Sequence, residues 1–270
     1  MIEFEDIKTI KNAILKAGKI ILHYQNKKNY QVNYKNPGDP VTTADDEANE
    51  IIIEAIEKIF PNDVIVSEEA YNDKTKAVVD QKRKNSKRVW IIDPLDGTKD
   101  FIKGLPYFAV SVGFLLDDKP ELGFIYNPSK KFFLHGGNNY GIFYNDLLHN
   151  QRDRKIEKLE DLKICISTSE VKQNLFTELM KSIPEDNIEF IGSVAYKMGL
   201  IAYGEFDLIL SKREKSDWDI AGGIALLQNL NFEILDQHFN PVVLNKESVL
   251  TDGLIVGSKS AVDLYRNFIG

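Results

Sequence analysis

The sequence predicts an α/β protein, α+β in its N-terminal half and alternating α/β in its C-terminal half. Three observations carry this. Apolar residues recur every three or four positions through much of residues 3–60. β-branched and aromatic runs then crowd residues 88–144. After residue 161, short strand-like runs alternate with helical ones, a pattern of α/β layering.

Residues 3–26 carry Ile7, Ile10, Ala13, Ile14, Ala17, Ile20 and Ile21 at helical spacing, which predicts an amphipathic helix. Residues 26–40 are polar, with Asn, Lys, Pro and Gly, and read as an exposed, mobile loop. With Lys35 and Asp39, that loop is a candidate lid. A second helix is expected over 43–60, capped by Thr42 and ended by Pro61-Asn62. Residues 63–67 read as a short strand and 71–87 as a charged, irregular helix. Residues 88–92 (RVWII) suit a buried strand. Two strands over 108–116 and 121–126 are joined by a turn over 117–120, and shorter strands follow over 132–135 and 141–144. Beyond a charged bridge over 151–161, strands at 162–166, 188–191, 206–210 and 231–235 alternate with helices at 170–182, 194–203 and 217–229. The change of pattern divides the chain into an N-terminal region, 1–155, and a C-terminal region, 156–270.

Apolar residues make up 43% and charged residues 28% of the chain, enough to build a sizeable core and unlike a disordered chain. A net charge of −7 without clustered Lys or Arg argues against a nucleic-acid polymer as partner. The single cysteine, Cys165, excludes a disulfide framework or a Cys-rich metal site, and its apolar setting predicts a buried, inert thiol. His23, His135, His149 and His238 show no i, i+4 metal spacing. The acidic N-terminus has no secretory apolar run. No stretch reaches the roughly 20 apolar residues of a membrane span. The expectation is a soluble, cytoplasmic protein with no transmembrane segment.

The informative segment is WIIDPLDGTKDF, residues 90–101. A hydrophobic strand runs into Asp93-Pro94-Leu95-Asp96-Gly97-Thr98. Two carboxylates three apart at a strand end can converge on one cation. Pro94 stiffens the turn and Gly97 permits close approach of a ligand. If a helix starts there, the amides of Gly97 and Thr98 suit an anion such as phosphate. Carboxylates for a hard cation beside amides for an anion suggest metal-assisted phosphoryl chemistry. A plain turn also favours Asp, Pro and Gly. An EF-hand loop fails, because Leu95 and Gly97 occupy ligand positions. A D-x-D-x-T aspartyl phosphatase fits less well, with one residue too many between Asp93 and Asp96. Asp45 and Asp219, alone, read first as acids in first helical turns behind Thr42 and Ser216, a role compatible with metal ligation.

Three motifs in order now carry a resemblance: Ser67-Glu68-Glu69, then DPLDGT at 93–98, then Asp217-Trp218-Asp219-Ile220-Ala221-Gly222-Gly223. The chain resembles the inositol monophosphatase superfamily of magnesium-dependent, lithium-sensitive phosphatases over nearly its full length. The resemblance implies a layered αβαβα sugar-phosphatase-type sandwich with the site between the halves. It implies two to three Mg²⁺ ions held by Glu68, Asp93, the Leu95 carbonyl, Asp96 and Asp219. It also implies in-line attack on phosphorus by a metal-activated water, whose proton passes to Thr98 oriented by Asp45. Asp45, Glu68 and Thr98 are thus the implied catalytic residues. A small-molecule phosphate ester is the implied partner, on a monomer or homodimer.

Thr98-Lys99-Asp100-Phe101 and Ser67-Glu68-Glu69 look most like the 3′(2′),5′-bisphosphate nucleotidase branch. The implied substrate is adenosine 3′,5′-bisphosphate, hydrolysed at its 3′-phosphate to AMP; the alternative is inositol 1-phosphate or a range of sugar phosphates. The segment Ile191–Lys197 looks like the family's substrate segment, with Gly192 and Ser193 opening a helix whose amides face the ligand. Lys197 is the candidate contact to a non-reacting phosphate, although its distance from Gly192 is closer to the inositol branch. Gly97, Thr98 and Asp219 complete the candidate substrate set. Ser211 stands near the position where the inositol branch has an acid, and Lys212, Arg213 and Lys215 would form a basic rim.

Overall fold

The computed structural model describes residues 2–150, 154 and 156–270. The division expected at residue 155 therefore lies outside the described residues. Helix α1 (Phe4–Lys27) follows the predicted stripe and buries Ile7, Ile10, Ile14, Ala17 and Ile21. The expected loop over 26–40 is instead the end of α1 and a hairpin, β1 (Val32–Asn36) and β2 (Asp39–Thr42). β1 is exposed along its whole length. With no buried face, it carries no apolar alternation for sequence reasoning to find.

Helix α2 (Thr43–Ile59), β3 (Val64–Ser67), α3 (Lys76–Lys84), β4 (Arg88–Asp96) and the short α4 (Thr98–Ile102) come next. A meander follows: β5 (Ala109–Leu116), β6 (Lys119–Asn127), β7 (Phe132–Gly137), β8 (Gly141–Tyr144) and β9 (Leu147–Leu148). The C-terminal half holds β10 (Ile164–Ile166), α5 (Thr168–Val171), α6 (Thr177–Ser182), β11 (Ile188–Phe190), α7 (Val194–Tyr203) and β12 (Leu208–Ser211). It ends with β13 (Lys215–Ser216), α8 (Asp217–Leu227), β14 (Phe232–Leu235), β15 (Leu250–Thr251), β16 (Leu254–Ser258) and α9 (Lys259–Ile269). The helix expected over 170–182 is split into α5 and α6. Sequence reasoning assigns no element after residue 235, where β15, β16 and α9 lie; a five-residue apolar run such as β16 gives no period to read.

The first sheet has seven strands in the order β3-β4-β5-β6-β7-β8-β9, and only β3–β4 is parallel. The second has five in the order β11-β10-β12-β16-β14. Alternating residues sort the faces. Trp90 and Ile92 of β4 pack with Ile10, Ile14, Ile52 and Ile56 from α1 and α2. Their neighbours Val89 and Ile91 belong instead to the core shared with α7 and α8. Cys165, Ile209 and Val256 bring the second sheet into that same core. Ile164, Ile166, Leu208, Leu210 and Ile255 face the other way, toward Leu179 of α6 and Val262 of α9. The result is helices, sheet, helices, sheet, helices: the αβαβα sandwich. Both faces of each sheet are covered, which explains why residues 89–92 (VWII) are continuously apolar.

Helix α8 lies directly on β5 and β6. Glycine permits this: a Cβ on Gly123 would overlap the Gly222 carbonyl oxygen, and one on Gly113 would stand 2.7 Å from Ala221 Cβ. The close approach sets the depth of the first turn of α8, which carries Asp219. Gly123→Ala is expected to lower unfolding free energy in urea by about 1–3 kcal/mol or more. An equally stable variant would contradict this packing.

Candidate active site

The β4–β5 ladder loses register between Asp93 and Asp96. Pro94 has no N–H to give the ladder, so the chain bulges there. The Leu95 amide turns back to donate to Asp93 Oδ1 at 2.9 Å. Gly97 follows with φ of 98°, and a Cβ there would stand 2.7 Å from the Tyr107 carbonyl oxygen, so the turn requires glycine. α4 then begins with Thr98.

Of the predicted residues, Glu68, Asp93, Leu95, Asp96, Gly97, Thr98, Gly192, Lys197 and Asp219 line one cleft of about 370 Å³, with Asp45 and Ser193 buried behind it on Thr98 and Asp96. Carboxylate oxygens of Asp93, Asp96 and Asp219 all lie within 4.8 Å of one another. Two local devices supply them. Asp93 and Asp96 flank the bulge. Asp219 sits in the first turn of α8, where its Oδ2 accepts from the Ser216 amide at 2.9 Å. Glu68 stands just beyond β3.

Asp45 is both helix cap and site residue. Its Oδ2 accepts from the Thr42 amide at 2.8 Å and Thr42 Oγ1 at 2.6 Å. Its Oδ1 faces Thr98 Oγ1 at 3.0 Å, and that hydroxyl is also 3.0 Å from the Leu95 carbonyl oxygen. Asp96 Oδ2 accepts from Ser193 Oγ and the Ala195 amide, each at 2.6 Å.

Burial raises Asp45, Asp93, Asp96 and Asp219. It pushes Asp45 up to about 6 against the pull of the Thr42 and Thr98 hydrogen bonds. It pushes Asp96 up to about 6 against those of Ser193 and Ala195. Asp93 is driven well above the carboxylate range by burial and then by the charges of Glu68, Asp96 and Asp219. Asp219 is driven up likewise by burial, Asp96 and Glu68. Such a cluster attracts positive charge, and its all-oxygen donor set fits a hard divalent cation.

The hairpin supplies one cation itself. Lys35 Nζ donates to Glu68 at 2.8 Å and Glu69 at 2.9 Å. Burial disfavours its charge, but the two glutamates outweigh that and raise its pKa. Lys197 is fully buried, lines the cleft, and its Nζ has no hydrogen-bond acceptor among the described residues.

Several expected contacts fall elsewhere. The Gly192 amide is committed to Asp100 Oδ2 at 3.1 Å, and Ser193 and the Ala195 amide to Asp96, so these donors brace the acids instead of facing the ligand. Ser193 itself is wholly buried. Of the expected basic rim, Arg213 and Lys215 line the cleft. Lys212 instead sits 5.5 Å over the Phe176 ring. Lys215 Nζ is tied to the carbonyls of Arg213 and Glu214. Ser211 is buried and bonds Glu170 at 2.9 Å. Glu170, which lines the cleft, was missed by sequence reasoning. Its signal was present: Ser167 followed three residues later by Glu170 is a helix-start pattern after a strand. Cys165 is buried as expected, its thiol pushed up to about 12 by burial.

The chain matches the inositol monophosphatase family over residues 4–264 and belongs to it. That makes it a member of a family of generally metal-dependent phosphatases, acting on phosphoric monoesters. Among its relatives is the 3′(2′),5′-bisphosphate nucleotidase CysQ of Haemophilus influenzae, 29% identical over 89% of this chain and 92% of that one. The Nus factor SuhB of Pasteurella multocida is 30% identical over 91% of this chain and 88% of its own length. The crystal structure of the extragenic suppressor protein suhB of Bartonella henselae superimposes with a TM-score of 0.79 at 26% identity, covering 96% of each chain. No helix among the described residues is long and apolar enough to cross a membrane.

Because these acids are raised above their unfolded values, the folded protein holds the extra protons. Their contribution to stability is present at low pH and lost as pH rises, between 3.8 and about 6 for Asp45 and Asp96. At pH 7, Mg²⁺ is expected to raise the melting temperature, by the equivalent of about 2.7 kcal/mol at a hundredfold excess over Kd. Asp93→Asn is expected to melt no lower than the parent in EDTA at pH 7 and to lose most of the Mg²⁺ response. An undiminished response in the folded variant would contradict a cation at this cluster.

Proposed function

We propose that the chain is a Mg²⁺-dependent phosphomonoesterase that removes the 3′-phosphate of adenosine 3′,5′-bisphosphate, giving AMP and phosphate. The observation that carries the substrate choice is Lys197: a buried cation in the cleft whose Nζ lacks an acceptor among the described residues. The charges of Asp96 and Glu170 act on it without accepting a hydrogen bond from it, and a second, non-reacting phosphate would supply that acceptor. The T-K-D-F sequence after the motif, Ser67-Glu68-Glu69 and the similarity to a bisphosphate nucleotidase support the same reading.

Glu68, Asp93, the Leu95 carbonyl, Asp96 and Asp219 would hold two to three Mg²⁺ ions. Bound there, the ions supply Lewis acidity toward the phosphoryl group and offset the acids' mutual repulsion. The chain's own part is positioning and proton handling. Thr98 Oγ1 accepts a hydrogen bond from the attacking water while donating to Asp45 Oδ1. Asp45 is thereby placed to take up the proton, and its raised pKa suits a base working near neutrality. Helices α7 and α8 begin at the cleft, so their positive dipole ends favour negative charge there. No side-chain nucleophile is needed.

A second reading, an inositol-1-phosphate or broad sugar-phosphate phosphatase, uses the same acids. It is favoured by the spacing of Gly192 and Lys197 and by relatives named inositol monophosphatases.

The test is phosphate release with Mg²⁺ from adenosine 3′,5′-bisphosphate and from myo-inositol 1-phosphate. A preference of about a hundredfold for the nucleotide, or about 2.7 kcal/mol in transition-state binding, is expected. The reverse preference would move the substrate to the inositol side. Asp93→Asn should abolish turnover in a folded protein. Lys197→Ala should raise KM for the bisphosphate more than for AMP-sized monophosphates; equal effects would remove the second-phosphate contact.

A further inference from the structure

We propose that Arg83 is a positioning residue for the acid cluster, clamping together the two segments that carry Glu68 and Asp219. The inference rests on the cation reading above. Arg83 closes α3 and is 1% exposed. A buried guanidinium is costly unless its donors are satisfied. Here four of its five N–H groups have acceptors, and the partners fall on two sides.

On one side, Nε donates to Asp80 Oδ1 at 2.7 Å. The same oxygen accepts from Tyr71 Oη at 2.9 Å. Tyr71 ends the turn that begins at Ser67, where its amide donates to the Ser67 carbonyl at 2.9 Å, and Glu68 lies inside that turn. The Tyr71 ring packs on Trp218 with centroids 5.4 Å apart. On the other side, Nη1 donates to Asn245 Oδ1 at 2.9 Å and the Lys246 carbonyl at 2.8 Å, and Nη2 to the Glu247 carbonyl at 3.2 Å. Asn245 is held with φ of 58°. Its amide donates to Asp217 Oδ2 at 2.9 Å, and its Nδ2 reaches Asp118 Oδ1 at 2.6 Å in the β5–β6 turn.

The circuit is closed. From the Glu68 turn it runs through Tyr71, Asp80, Arg83 and Asn245 to Asp217, and Asp217 and Trp218 lead into Asp219. Arg83 is not among the residues lining the cleft, so it acts only through these neighbours. A buried charged network is weak evidence for stability as such, since apolar packing serves as well. What an apolar side chain cannot do is fix both segments at hydrogen-bond precision. Outer partners of metal-ligating groups typically influence affinity by 10–100-fold.

The test is Mn²⁺ binding to the whole protein, followed by the EPR signal of the free ion, for the parent, Arg83→Lys and Tyr71→Phe. Lysine keeps the charge but cannot span both sides. Phenylalanine keeps the ring on Trp218 and loses only the bond to Asp80. Mn²⁺ affinity is expected to fall about tenfold in Arg83→Lys, and by less in Tyr71→Phe. Turnover at saturating metal should fall less than affinity does. Should Arg83→Lys fail to fold, Tyr71→Phe decides alone. Variants that melt earlier yet bind Mn²⁺ as tightly as the parent would overturn the inference and leave the cation reading intact. A parent that binds no Mn²⁺ would overturn both.

Discussion

Buried carboxylates repel one another, and this molecule is organised around that repulsion. Asp93, Asp96 and Asp219 present oxygens within 4.8 Å of one another, with Glu68 close enough to raise them further. Asp93 is buried and the others are half-buried in the cleft, where water screens them poorly, so much of their charge must be met by protons, cations or oriented dipoles. The fold supplies the last of these. Helices α7 and α8 start at the cleft, the amides of residues 95, 195 and 216 point at its carboxylates, and that of residue 42 points at Asp45 behind it. The remaining demand for positive charge is what the proposed metals would meet.

The same residues build helices and the site. Asp45 closes a capping box with Thr42, and Asp219 does so with Ser216. An acid at the third position of a helix satisfies orphan amides with one oxygen and leaves the other free to face inward. Capping and function are therefore one arrangement. Depth comes from packing: the glycines of β5, β6 and α8 bring that helix against the sheet, and with it Asp219 against Asp93.

Much of this was legible in the sequence. DPLDGT, the Glu68-Glu69 pair and the Asp217-Trp218-Asp219 run identify the acid set because local rules and the resemblance agree on them. The strands and most helices follow from periodicity, since each buries a defined face. What escaped is what depends on distant partners. β1 has no buried face, so the sequence offers Lys35 only as part of a candidate lid and not as a partner of Glu68. Ser193 looked like a ligand contact, yet its hydroxyl is spent on Asp96, 97 residues away in sequence. Arg83 lies in a stretch that reads only as a charged, irregular helix, and its burial is explained by Asp80 together with the distant carbonyl and carboxamide partners at residues 245–247.

The central claim is that the cluster is a divalent-cation site, and crystals grown with Mn²⁺ test it most directly through anomalous scattering. Two strong peaks flanking Asp93, one toward Glu68 and one bounded by Asp96 and Asp219, are expected. Well-diffracting crystals with no anomalous density at these acids, at Mn²⁺ concentrations that saturate related enzymes, would contradict it.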